Sequence, residues 1–332
     1  MTLKYVREKF GAPDMTDAFG TAGVERGIIE AAKRNPKIVL VLADVGFPGL
    51  KWFVANAPNR VFELGIAEAN VAVAASGLAA DGYEPFIYGF AFATMERAVN
   101  QIRQCICVDH FNVKIMSRAG YLGTSGISHN VIEDIGIMRV MPNMVIVNPA
   151  DSVEAEKAIV AIADYVGPVY FRMEPGFFSP PPLRIFKDDY VFDIGKAVTV
   201  REGGDVAIIA AGYMVTESIY AADLLKKEGI EVKIVDMSTI KPIDEEAIIE
   251  AAKETGAIVT AENHSIIGGL GEGVATVLAE NLPTPMARMG VRDEFSQSGI
   301  ITPEGKDELK IHLNLTAEDI AAAVKDVLKK KR

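Results

Sequence analysis

Short apolar runs of strand length alternate with segments of helical period along the whole chain, and that alternation leaves few folds open. Ile38–Leu42 (IVLVL), Val113–Met116, Met144–Val147 and Pro168–Phe171 are uninterrupted apolar runs, as in strands buried on both faces. Asp17–Arg34, Ala67–Ala80 and Met95–Cys107 lie between them with helical spacing. The sequence therefore predicts an α/β protein with mostly parallel sheets. Prolines crowd Glu174–Leu183 (EPGFFSPPPL), where missing backbone donors and restricted preceding residues stop regular structure. Beyond it the rhythm restarts, with strands at Val206–Ala210, Glu231–Val235 and Ile258–Ala261 and helices at Thr216–Glu228, Gly271–Ala279 and Ala317–Lys330. The last of these starts behind Thr316, an expected N-cap, and ends in lysines that suit its negative end. The expected organisation is an extension at 1–14, a first α/β domain at 15–180, a linker at 181–190 and a second, separate α/β domain at 191–332.

The 332 residues carry 34 Lys plus Arg against 45 Asp plus Glu, a net charge of −11. That balance disfavours nucleic acid or an anionic membrane as the main partner and points to small ligands. Cys105 and Cys107, one residue apart in an apolar stretch, match neither a disulfide framework nor a structural zinc spacing and are expected as buried thiols in a reducing cytosol. The charged start MTLKYVREKF lacks the apolar core of a signal peptide, and no stretch approaches ~20 charge-free residues, so a cytoplasmic protein is expected.

Two motifs bear on chemistry. The glycines of Ile267–Gly271 (IGGLG) precede a helix but miss the G-x-G-x-x-G spacing, which favours close packing over a dinucleotide site; no G-x-x-x-x-G-K-[ST] loop occurs. In RVFELGIAEAN, residues 60–70, Glu68 opens an apolar helix. Such a carboxylate suits the helix dipole, or it is an acid in an apolar site that hydrogen bonds a ligand nitrogen or passes a proton. The residues alone leave both readings open.

The run LGIAEAN resembles the GIAEQN or GIREH element of the thiamine-diphosphate enzymes related to transketolase. Further stretches resemble that family in the same order: ADV at Ala43–Val45, PFIYGFAF at Pro85–Phe92, RAVNQIR at Arg97–Arg103, GISHNVIEDIGIMRVMPNM at Gly126–Met144, NPADSVEA at Asn148–Ala155, then STIKPID and TAENHSIIGGLG. The resemblance covers nearly the whole chain from about residue 15. It implies a pyrimidine-binding domain followed by a transketolase C-terminal-like domain. The family's GDG motif and following Asn, which hold Mg²⁺ and the diphosphate, are absent from this sequence. The resemblance therefore implies the C-terminal subunit of a split transketolase. Thiamine diphosphate would lie at a site completed by an N-terminal partner that supplies the Mg²⁺ ligands, with two copies of each chain in the complex.

By the same resemblance, Glu68 matches the glutamate that hydrogen bonds N1′ of the cofactor's aminopyrimidine. Asp44, Phe90 and Phe92 are expected beside the cofactor, although Ala93 stands where the family has a second aromatic. His129 matches a histidine that touches substrate oxygens and is counted as catalytic with Glu68. Arg118, Ser125 and Arg172 are the further expected substrate contacts, Arg118 and Arg172 as anion binders. His110, His264 and His312 have no such match, and His264 is expected to be structural. Ser125 replaces an acidic residue that reads a donor hydroxyl, and Thr16 replaces an arginine that reads an acceptor phosphate. Both departures point away from a conventional pentose-phosphate substrate set. Two alternatives are the β chain of a 2-oxo acid dehydrogenase E1 component, from which STIKPID and ENHSIIGGLG differ, and a non-catalytic subunit, from which an intact Glu68 differs.

Overall fold

The computed structural model describes residues 20–121, 126–174, 182–295, 297–299, 301–302 and 306–331. Seven strands make the first sheet: β1 Ile38–Leu42, β2 Val61–Glu63, β3 Glu84–Phe90, β4 Lys114–Arg118, β5 Val145–Val147, β6 Val169–Met173 and β10 Thr239–Lys241. Their order across it is β10-β5-β6-β4-β3-β1-β2. A second sheet is built from β7 Val198–Arg201, β8 Val206–Ala210, β9 Val232–Asp236, β11 Ile258–Ser265 and β12 Met286–Val291, in the order β12-β11-β8-β9-β7. Every pair is parallel except β10 with β5 and β7 with β9. All five residues of β1, β6, β8 and β9 are buried, the signature of strands covered by helices on both faces.

The helix at Ala317–Leu328 has the expected cap: the Thr316 side chain accepts from the Asp319 amide while Asp319 accepts from the Thr316 amide. The expected helix at Met95–Cys107 breaks up. A 3₁₀ turn at Glu96–Ala98 leads through Val99–Gln101 into a π-helical turn at Ile102–Cys107, closed by the Val108 amide on the Arg103 carbonyl. Ile102, Ile106 and Cys107 are all buried, and spacings of four and five suit the wider turn better than an α-helix.

The second half of the chain adds a strand to the first sheet. Its strand β10 pairs antiparallel with β5 and extends the first sheet. Residues of the expected linker are tied down as well: the Ile185 and Phe186 amides both donate to Asp151 Oδ2, and the Leu183 amide donates to Thr216 Oγ1. The expected extension at 1–14 lies outside the described residues.

Candidate active site

The chain leaves β1 to build β2 on one side and then β3 on the other, so the strand order reverses between β1 and β3. A crevice at the carboxyl ends of strands beside such a reversal is where open α/β sheets bind ligands. Asp44 follows β1, Phe90 ends β3 and Arg118 ends β4. Asp44 is exposed and has φ 54, sparsely populated by residues other than glycine. Its amide and that of Gly65 both donate to Glu63 Oε1, at 2.8 and 2.9 Å, which fixes the turn leading to Glu68.

Glu68 opens the helix Glu68–Ala80, whose mean hydropathy stays high around its circumference, and is 7% exposed. Arg97, from the 3₁₀ turn, donates to both carboxylate oxygens at 3.2 and 3.3 Å. The arginine side chain is 59% exposed. Glu68 is therefore a buried acid whose described charge partner is a long, solvated side chain that can be displaced. Beyond it, the Ala91–Thr94 turn packs against both this helix and the 127–129 turn.

The rings of Phe90 and Phe92 stack at 5.9 Å and 26°, and the His129 imidazole stands edge-on to both at 4.9 and 4.7 Å. The Arg118 guanidinium lies 5.2 Å above the Phe90 ring. His129 Nδ1 is 3.0 Å from Ser128 Oγ. Four of the sequence-expected residues, Phe90, Phe92, Arg118 and His129, thus form one cationic, aromatic wall. Ser125 and Thr16 lie outside the described residues.

Arg172 requires a correction. The family resemblance places it on a substrate anion, but it has no exposed surface and its charge is met internally. Nε and Nη2 reach the Asp134 oxygens at 2.8 and 3.3 Å, Nη1 donates to Glu174, and Nη2 donates to the Asn263 carbonyl at 2.7 Å. A buried guanidinium with two carboxylates has no vacancy for a phosphate; it joins β6 to the second sheet. His264 is the neighbouring bolt: its Nδ1–H donates to the Ser265 carbonyl and its Nε2 accepts from the Gly136 amide at 3.2 Å. Burial pushes its pKa down to about 4. The IGGLG glycines serve close packing: a Cβ on Gly269 would come 1.9 Å from Glu262, whose carboxylate accepts the Leu270 and Gly271 amides and caps the helix Leu270–Asn281.

The sequence reading did not anticipate Arg97 or Glu96. Burial and the neighbouring Glu133 carboxylate push Glu96 up to about 7. Both lie in or beside the quoted RAVNQIR stretch, where adjacent charges interrupt an apolar helix pattern. Among the described residues, no three His, Cys, Asp or Glu side chains gather as a metal site, and no helix is long and apolar enough to cross a membrane.

Comparison with known proteins decides the family. The transketolase pyrimidine-binding domain matches residues 14–176, and the transketolase C-terminal domain matches residues 195–324. This chain belongs to the transketolase family. It is 39% identical over 307 residues, 92% of both chains, to the 6-deoxy-6-sulfo-D-fructose transketolase subunit SqwH of Clostridium sp.. It is 36% identical over 306 residues, 91% of this chain and 95% of the relative, to one of the subunits of the apulose-4-phosphate transketolase of Phocaeicola vulgatus. A 1-deoxy-D-xylulose-5-phosphate synthase of Trichormus variabilis is 33% identical over 90% of this chain, which spans 46% of that longer protein. Among solved structures, a split-gene transketolase described as an inactive β4 tetramer superposes with a TM-score of 0.84 at 38% identity, covering 95% of this chain and 100% of that one. This transketolase-family chain therefore has the fold and extent of the C-terminal subunit of a split transketolase.

Proposed function

We propose that this chain is the pyrimidine-side subunit of a thiamine-diphosphate-dependent transketolase that moves a two-carbon ketol unit from a ketose to an aldose. The observation that carries the reading is Glu68: an acid almost out of water at a helix start, near an aromatic wall at the reversal of strand order. Its chemistry fits the aminopyrimidine, because a carboxylate in a dry site holds a proton against a ring nitrogen strongly. Glu68 would bind N1′ in place of the Arg97 contact, and Phe90 and Phe92 would offer flat apolar area to the rings. When bound, thiamine diphosphate supplies the nucleophilic carbon that the protein lacks.

Around that centre the chain's own residues orient the sugar. His129, with Nδ1 held by Ser128, would contact a substrate hydroxyl through Nε2. Arg118 would give the wall a positive charge, and the sulfonated and phosphorylated sugars in the names of its relatives suit that charge. An anionic ketose donor follows, with the Ser125 and Thr16 departures shifting the donor hydroxyls read and weakening selection for a phosphorylated acceptor. The diphosphate and Mg²⁺ would be held by an N-terminal partner of ~270 residues, judged from domain-size norms, in a complex of two copies of each chain.

The test is reconstitution with such a partner. Ketol transfer should appear only when both chains are mixed, across a panel of ketoses differing at C3 and C4 paired with phosphorylated and free aldoses. Condensation of pyruvate with an aldose phosphate, without ketol transfer, would replace this reading with synthase chemistry.

A further inference from the structure

The segment that carries His129 leaves the first sheet after β4 and returns before the helix Asp134–Arg139, and the second half of the chain holds both of its ends. At the outgoing end the Tyr121 amide donates to Asn263 Oδ1 at 3.0 Å, and the Tyr121 ring lies fully buried in the core of the second sheet. At the returning end the Ser265 amide donates to the Ile132 carbonyl at 2.7 Å, and Ile132 packs into the same core. The Gly120 amide closes the base on the Val131 carbonyl at 2.6 Å. Asn130 Nδ2 reaches the Gln297 carbonyl at 3.2 Å.

Asn263 is the centre of this grip. It is 1% exposed, and its backbone carbonyl takes the Arg172 guanidinium that Asp134 and Glu174 already fix. Gly120 has φ +86, and a Cβ there would come 2.6 Å from Asn263 Nδ2, so only glycine admits the amide so closely. Nδ2 itself has no hydrogen-bond partner among the described residues. The side chain therefore works through its oxygen alone, and that oxygen holds the start of the His129 segment.

We infer that Asn263 is a positioning residue. Through the Tyr121 amide it fixes the base of the 126–131 segment, so that His129 stands edge-on to Phe90 and Phe92, and through this clamp the second half of the chain acts on the substrate side of the site without entering it. The inference rests on the reading of His129 as a substrate contact.

The experiment uses the two-chain complex, with the phosphorylated ketose that turns over fastest in the panel above as the donor probe. It measures hydrogen exchange in peptides spanning 119–132 together with donor KM and kcat. Asn263→Ala should speed exchange there about tenfold, the scale of orphaning one buried amide, and raise donor KM about tenfold with kcat within ~threefold. Asn263→Asp keeps the acceptor, and because a carboxyl this buried takes up a proton it is compared with wild type at pH 5.5, where it should stay near wild type in all three. If the alanine variant does not assemble, Asn263→Ser takes its place, its hydroxyl too short to reach the Tyr121 amide. Unchanged exchange in 119–132 would overturn the inference. So would an aspartate variant as disruptive as alanine, or loosening spread evenly through the second sheet. Exchange does not depend on the chemistry, so a loosened segment in Asn263→Ala combined with a silent His129→Asn leaves the clamp standing and removes the reading of His129.

Discussion

Replacing Arg172 with methionine separates two accounts of the same side chain. Methionine fills much of the volume of the arginine stem, so the change subtracts charge and hydrogen bonds rather than packing. Four contacts vanish: two to Asp134, one to Glu174 and one to the Asn263 carbonyl. Asp134 would keep the Tyr170 hydroxyl at 2.8 Å and Glu174 the Tyr213 amide, so both carboxylates would remain buried with partial support and no counter-charge. Breaking a buried pair by removing one partner costs about 3–5 kcal/mol, because an uncompensated charge is left behind. Urea unfolding of the isolated chain, followed by circular dichroism at pH 7, should show a loss of that size. Part of it should return at pH 5, where the orphaned carboxyls can take up protons. A loss below about 1 kcal/mol, joined to a raised KM for phosphorylated donors, would refute the internal role and restore Arg172 to the substrate.

Two further predictions concern protons held off or held on by the fold. His264 is kept neutral down to about 4 against an ordinary value of 6.5. The unfolded chain therefore binds a proton that the native one refuses as pH falls from 6.5 to 4, and roughly 3 kcal/mol of stability is lost across that window. His264→Asn should lose less over the same interval, seen as converging urea midpoints; parallel curves would remove His264 from the joint. Asp236 is fully buried beside Glu154, and burial together with that neighbour raises its pKa far above the ordinary carboxylate value, while Glu154 is pushed up to about 7. Here the native state keeps a proton the unfolded chain has released, so stability falls as pH rises from about 4 through neutrality, and Asp236→Asn should gain on wild type between pH 5 and pH 8. An equal difference at both pH values would contradict the retained proton.

Strands whose every residue is apolar were legible because burial on both faces leaves no other pattern, as in Ile38–Leu42. The Thr316 cap was legible because it depends on residues three apart. Strand β10 was not, since Thr239–Lys241 is too short and polar to announce itself, and its place is set by pairing with a segment some 90 residues earlier. Arg172 misled for a related reason: a charged residue in a buried strand signals a fixed counter-charge somewhere, and the sequence does not say whether Asp134 and Glu174 or a ligand provides it. Phe90, Phe92 and Arg118 come together because each lies at or just beyond the carboxyl end of a parallel strand, a place the alternation of strand and helix already defines, whereas His129 reaches them from the turn at Ile127–His129, whose position no local pattern gives.

The account turns on Glu68, and turnover of the reconstituted two-chain complex tests it most directly. Glu68→Ala exchanges a residue at a helix start and should leave assembly and thiamine diphosphate binding in place, while ketol transfer falls by ~10² or more, the usual scale for losing an acid–base partner. Turnover within a factor of three of wild type would make Glu68 a helix-dipole residue held by Arg97 and would contradict the proposed site.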